Sequence, residues 1–168
     1  RIIDMVICDS VNSPSTKKAF LLAMRGITST VTIISAKKDS YQQAMTATSV
    51  ASLSLEPPSM LVCVNHEASI HNIMEKEKDF CINVLKANQV QVADVCSKKE
   101  YEYERFLTGN WSLLDNIPYI IDAQSNLFCR CIDLIKHETH TIYLGEVTKV
   151  TNKDIANPLL YKDGKYLD

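Results

Sequence analysis

Five hydroxyl side chains, Thr46, Thr48, Ser49, Ser52 and Ser54, crowd the segment AMTATSVASLSLEPPSMLVCVN at residues 44–65. Small hydroxyls and the backbone beside them approach a ligand closely, and they donate or accept hydrogen bonds without bulk. With little charge among them, they suit a polar, flat ligand held by many weak bonds. A Ser/Thr-rich strand and turn with no ligand would carry the same pattern. The segment NHEASIHN at 65–72 is a second candidate. A helix opening at Ala68–Ser69 would turn its amides and its dipole toward an anion. Ser69 serving only as an N-cap beside surface histidines reads equally well.

Other chemistries find less support. Among Cys8, Cys63, Cys81, Cys96, Cys129 and Cys131 there is no CxxC pair. Cys63 and Cys81 sit in apolar strand-like runs, where a free thiol acts as a small hydrophobe. Cys129 and Cys131 share one face of a strand, but a metal site there would need two more ligands. Structural cysteines and a reducing cytoplasm are the expectation. No Ser-His-Asp or Cys-His constellation is evident, and no GxGxxG motif marks a Rossmann unit. A net charge of −2 gives no electrostatic case for nucleic acid or an anionic membrane. No apolar run reaches a membrane span of about 18–20 residues. The start, RIIDMVICDS, is too short and too acidic for a secretory signal, and the missing initiator Met leaves a trimmed or truncated N-terminus open.

The elements that must position these residues are readable in outline. Ser13-Pro14 marks a helix start, and Phe20, Ala23, Met24 and Ile27 follow helical spacing, which predicts a helix near 14–25. Val31–Ser35 is β-branched and strand-like, Lys37–Ser40 is a polar turn, and the next strand enters the hydroxyl segment. Pro57 and Pro58 stop regular pairing before a strand at Met60–Val64. Helices are expected at 66–76, with Ile70, Ile73 and Met74 on one face, and at 88–98, carrying Val92, Val95 and Cys96. Strands are expected at 80–85, 119–123, 127–136 and 141–150, and Asp163-Gly164 signals a closing hairpin. The run KKEYEYER at 98–105 reads as a solvated helix face, and Trp111 as core or lid packing. One domain spanning 1–168 is expected, mainly β, as a closed antiparallel barrel with peripheral helices.

Several segments together resemble the flavin reductase-like family, the short-chain NAD(P)H:flavin oxidoreductases that serve two-component monooxygenases such as 4-hydroxyphenylacetate 3-monooxygenase. They are KAFLLAMRGITSTVTIIS, MTATSVASLSLEPPSMLVCVN, FCINVL, LFCRC, HTIYLGEV and PLLYKDGKY, in order between Lys18 and Tyr166. The resemblance implies an FMN-binding split β-barrel, a homodimer with flavin near the subunit interface. It implies that Met45, Thr46, Ala47, Thr48 and Ser49 run beside the flavin ring and ribityl chain, with Ser54 near the phosphate. Asn65, Ser69 and His71 match positions close to the phosphate. The family's basic residue there is His66 or Glu67 in this chain, a departure that weakens the phosphate contact.

The resemblance also makes His140 the catalytic candidate, facing the nicotinamide side of the flavin. A neutral imidazole there can position the nicotinamide amide, and a protonated one can stabilise the anionic reduced ring. A strand-edge histidine in solvent is the plainer alternative. Lys165 and Tyr166 of the closing hairpin are candidates for contacting the pyridine nucleotide, unless that hairpin only completes the fold. The implied reaction is hydride transfer from nicotinamide C4 to flavin N5, with reduced flavin passed to an oxygenase component. FMN is favoured, with FAD open. NADH or NADPH is the co-substrate, and the lack of an obvious basic cluster for a 2′-phosphate leans to NADH. A non-enzymatic split-barrel carrier of flavin or haem is the rival reading.

Overall fold

The computed structural model describes residues 13–77, 79–154 and 156–167. The readings made for the opening decapeptide and for Cys8 lie outside the described residues. Ser13 begins the first helix, α1 (Pro14–Arg25), by accepting a hydrogen bond from the Thr16 amide at 3.1 Å, with Pro14 in the first turn. Both are the expected start signals. The apolar spacing is helical too, yet Phe20, Leu21, Leu22, Met24 and Ile27 all remain exposed.

The strands follow as β1 (Ser29–Thr30), β2 (Thr32–Lys38), β3 (Tyr41–Ala47), β4 (Val50–Leu55) and β5 (Pro58–Asn65). After α2 (Ser69–Glu77) come β6 (Asp79–Val84) and α3 (Val90–Ser97). A short hairpin, β7 (Trp111–Leu114) and β8 (Ile117–Ile120), precedes the long pair β9 (Ser125–His137) and β10 (His140–Asn152). The chain closes on β11 (Leu160–Lys162) and β12 (Lys165–Leu167). The turn between them, Asp163-Gly164, has φ of 50° and 81° at its two residues, the left-handed pair that a tight hairpin demands. Pro57 and Pro58 do not end pairing as expected. The Glu56–Pro57 bond sits in a tight turn, and Pro58 already pairs with Leu55 across the β4–β5 hairpin.

Seven strands form one antiparallel sheet in the order β3-β2-β6-β9-β10-β5-β4. Side chains from its inner faces meet in one cluster, including Ile34, Val62, Val64, Phe80, Ile82, Cys129 and Tyr143, so the sheet curls around them. The buried face of α2, Ile70, Ile73 and Met74, joins the same cluster. A second cluster lies outside β2 and β3, where Ile33 and Ala44 meet Val92, Ala93 and Cys96 of α3, together with Ile120 and Leu159. Residues Thr32–Ala36 are therefore buried on both faces of β2.

The barrel is split rather than closed. Its end strands, β3 and β4, are not hydrogen-bonded to each other, although only Thr48 and Ser49 separate them in the chain. The sheet bends around a close approach at Gly145 of β10. A Cβ there would lie 2.7 Å from Phe80 Cζ and 2.8 Å from Cys129 Cβ, so packing requires glycine at this position. No described helix is long and apolar enough to cross a membrane.

Candidate functional site

The hydroxyl segment lies at the split. β3 carries its first half and β4 its second. Two hydrogen bonds fix the β3 side: Thr32 Oγ1 donates to the Ala47 carbonyl at 2.7 Å, and Thr46 Oγ1 donates to the Ala93 carbonyl of α3 at 2.6 Å. Thr46 has therefore committed its proton to the scaffold and offers a ligand only acceptor capacity. The Cys63 amide donates to the Ser49 carbonyl at 3.0 Å, which holds the corner against β5.

Several cavities adjoin this corner. One of about 400 Å³ is lined by Thr46, Thr48, Asp94, Ser97, Tyr161 and Tyr166, among others. A second, of about 280 Å³, shares Thr46 and Ser97 with it and continues past Met45 to Asn65, Ser69, Lys99 and Arg105. A third, of about 410 Å³, shares Thr48 and runs along Thr28, Thr30, Thr32, Ser52 and Met60. Thr46 and Thr48 thus each line more than one cavity at the split, where these cavities form the groove. Volumes of this size suit small-ligand sites, and the lining mixes hydroxyls and apolar side chains with Glu67, Asp94, Lys99 and Arg105.

The expected residues fall into distinct places. Met45, Thr46 and Thr48 line the groove, and Asn65 and Ser69 line one end of it. Ala47 turns its side chain into the core at 7 % exposure, which leaves only its backbone toward a ligand. Ser49 is exposed at the corner. Tyr166 lines the opposite end of the groove, while Lys165 is exposed on the same strand. Ser54 stands apart. It bonds with Glu56 in the β4–β5 turn, the far end of β5 from Asn65.

The histidines separate as well. His71 is buried, its Nε2 2.9 Å from Thr141 Oγ1, and His66 Nε2 reaches the same oxygen at 3.0 Å. A hydroxyl has one proton to give, so at least one of the two imidazoles donates there. His71 thereby ties the first turn of α2 to β10. His140 is exposed at the start of β10, opposite Asn65 in register, with Nδ1 2.8 Å from Thr139 Oγ1.

At the groove's closing end, Tyr161 and Tyr166 pack edge to face at 5.5 Å. Burial, then the neighbouring Asp94 carboxylate, pushes the Tyr166 phenol up to about 12. It stays protonated and can donate at any physiological pH. Burial also pushes Cys96 up to about 12, despite the opposing Arg105 guanidinium. That keeps Cys96 an inert thiol rather than a nucleophile.

Sequence reasoning placed Arg105 in a solvated run, and the structure corrects this. Only 5 % of Arg105 is exposed. Its Nη1 donates to Gln43 Oε1 at 2.8 Å and its Nη2 to the Lys98 carbonyl at 3.1 Å. The segment is a single 3₁₀ turn, Lys99–Tyr101, followed by turns rather than a helix face. Trp111 packs against Phe106 at 4.7 Å and donates to the Arg105 and Thr108 carbonyls, so it is packing as expected. The overlooked signal was Gln43, a buried polar residue on β3 that bonds Tyr41, Glu102 and Arg105.

Comparison with known proteins places the chain in a family. The family model described as "Flavin reductase like domain" matches residues 24–168. The chain is 36% identical, over 88% of its length and 84% of the relative's, to the reductase component of the FADH(2)-dependent resorcinol hydroxylase of Rhizobium sp. strain MTP-10005. It is 29% identical, over 88% and 84%, to the FMN reductase (NADH) RutF of Pseudomonas syringae pv. syringae. Among solved structures it is similar to the Streptomyces globisporus NADH:FAD oxidoreductase SgcE6 in complex with NAD and FAD fragments. That similarity has a TM-score of 0.85 at 27% identity and covers 95% of this chain and 96% of that one.

Proposed function

The chain belongs to the flavin reductase like domain family, and we infer that it is an NAD(P)H:flavin oxidoreductase that supplies reduced flavin to a partner monooxygenase. The observation that carries the site is the set of adjoining cavities at the split, which share Thr46, Thr48 and Ser97. Its chemistry fits a flavin in three parts. Hydroxyls and backbone suit the ring edge and ribityl chain, and the first turn of α2 suits the phosphate. Bound flavin supplies the acceptor for hydride leaving nicotinamide C4, taken at N5.

The protein's own residues orient and exclude. The Thr46 oxygen accepts from a ligand N–H or O–H, held in place by its bond to Ala93. Thr48 and Ser49, exposed at the corner, donate and accept toward the ring edge. The Tyr166 phenol, its proton held on Asp94, offers acceptor capacity from the closing hairpin, and Tyr161 packs beside it to narrow access for water. His140 keeps Nδ1 on Thr139 and presents Nε2 to the nicotinamide amide or to the charge of the reduced ring.

The proposal extends to FMN before FAD, to NADH before NADPH, to one domain over the whole chain, to a cytoplasmic setting and to a homodimer. Two features support the dimer: every residue of β4 is exposed or half-exposed, and the third cavity opens beside it. The test is NADH consumption by the purified chain with FMN, with FAD and with neither, each repeated with NADPH. Flavin-dependent consumption is expected with NADH. No flavin-dependent consumption with either nucleotide would sink the enzyme reading. A His140→Ala variant that binds flavin normally but turns over at least about tenfold more slowly would give His140 its catalytic role.

A further inference from the structure

We propose that Asp94 selects NADH over NADPH, by receiving the free hydroxyls of a nucleotide ribose in the cavity between α3 and the closing hairpin and repelling a phosphate carried there. The proposal rests on the reductase reading above and names the side chain behind the choice of nucleotide. The cavity, of about 400 Å³, is lined by Asp94 and Ser97 of α3, by Thr46 and Thr48, and by Tyr161 and Tyr166 of the hairpin, among others. Among the described residues that line it, Asp94 is the only one with a charge. Lys99 and Arg105 line the neighbouring cavity and not this one. Lys165, exposed on the same hairpin, does not line it either.

The hydrogen bonds around Asp94 are the independent observation. Three neighbouring hydroxyls have already spent their protons on the protein. Thr46 Oγ1 donates to the Ala93 carbonyl at 2.6 Å, and Ser97 Oγ donates to the Asp94 carbonyl at 2.7 Å. The Tyr166 phenol gives its proton to the Asp94 carboxylate. Three such oxygens and one carboxylate make a wall rich in acceptors, and a carboxylate bonded once has acceptor sites to spare. Asp94 is exposed in the free chain, and a ligand filling the cavity strips water from it. The stripped carboxylate then needs donors. The two free hydroxyls of an NADH ribose supply them, as a ribose does for the acidic side chain of other dinucleotide sites. A 2′-phosphate removes one of those donors and brings negative charge to a cavity with no cation in its described lining.

NADH and NADPH are the probes, since they differ only in the 2′-phosphate. Steady-state rates of the full chain with saturating FMN should give a kcat/KM about 100-fold or more higher for NADH. Asp94→Asn keeps the shape and removes the charge. It should shrink that ratio about tenfold or more, chiefly through a lower KM for NADPH, with kcat little moved. Asp94→Glu should retain the wild-type preference. Tyr166→Phe leaves the carboxylate charged, so the preference for NADH should survive even where turnover falls.

A wild type that uses both nucleotides equally well would overturn the proposal. So would equal losses with both nucleotides in Asp94→Asn, which would make Asp94 a support for the hairpin only. Weaker binding of FMN and riboflavin in Asp94→Asn, with an unmoved nucleotide ratio, would put the ribityl hydroxyls on Asp94 and defeat the proposal. Absence of flavin-dependent turnover by the wild type with either nucleotide would defeat the reductase reading itself, and this proposal with it.

Discussion

The two end strands of the sheet, β3 and β4, are neighbours in sequence and opposites in treatment. β3 is covered on its outer side by α3, tied to it through Thr46 and Ala93, and flanked by the buried Arg105–Gln43 pair. β4 runs ValAlaSerLeuSerLeu with no buried residue, and Leu53 and Leu55 are 50% and 86% exposed. Unpaired, apolar edges invite another strand or another chain, and proteins usually cover or charge them. β4 has no charge to protect it. One edge of the split is finished by this chain, and the other is left bare. A groove opening between a rigid wall and an unfinished one is half built in the monomer, which supports the second copy proposed above.

The sharpest way to break the contrast is to cut equally into both sides. Ile33 is fully buried beneath α3, so Ile33→Ala should cost about 2–5 kcal/mol in urea unfolding through lost burial and the cavity left behind. Leu53→Ala on β4 should change the stability of the separated monomer by less than about 0.5 kcal/mol. If the two cost alike, β4 is packed in the free chain and the contrast fails.

The second test asks what β4 is for. Leu53→Lys with Leu55→Lys places two charges on the bare edge. Sedimentation should then show monomer where the wild type shows dimer, with flavin turnover down about tenfold or more. A variant that stays dimeric and fully active would place the dimer contact elsewhere. In that case the groove would be complete within one chain.

The sequence showed the β3 side better than its own logic deserved. Local signals found α1 from Ser13-Pro14, α3 from Val92, Val95 and Cys96, and the last hairpin from Asp163-Gly164. The β7–β8 hairpin was missed, although Asp115 and Asn116, with φ of 49° and 67°, form a two-residue turn of a familiar kind. The split itself had no local signal, because it depends on which strands fail to pair across the whole sheet. The same holds at the site. Thr46 and Thr48 were legible because hydroxyl-rich strands are unusual. Arg105 was not, because its burial depends on Gln43, sixty-two residues earlier. Ser54 belongs to the same hydroxyl run by composition, but a register shift between Ser52 and Ser54 carries it into the hairpin turn.

Alkaline pH offers a third comparison. Cys96 behind β3, Cys129 in the core and Tyr166 at the groove are all raised to about 12, chiefly by burial. Each is neutral when protonated. Between the ordinary values, 9.0 for the thiols and 10.0 for the phenol, and about 12, the folded chain keeps protons that the unfolded chain has lost. Their contribution to stability is therefore complete below pH 9 and is lost as pH rises toward 12. Thermal melts should fall steadily across that window. Cys96→Ala should flatten the fall. β4 has no titratable side chain, so Leu53→Ala should keep the wild-type slope.

The smallest effect separates anchoring from ligand contact within the hydroxyl segment itself. Thr46 and Thr48 differ by two residues and both line the groove, but only Thr46 has a scaffold partner, at 2.6 Å. Thr46→Val removes that bond and should lower stability by about 1 kcal/mol. Thr48 is exposed without such a bond, so Thr48→Val should leave the melting temperature nearly unchanged. Thr46→Ser keeps the hydroxyl and should restore most of the lost stability. Flavin affinity reads the other half of the comparison. Both valine variants should weaken binding, Thr48→Val by losing donor and acceptor together, Thr46→Val by losing an acceptor and loosening β3. If Thr48→Val destabilises the chain while Thr46→Val does not, the corner rather than α3 holds the finished wall. The division of labour between the two strands would then have to be reversed.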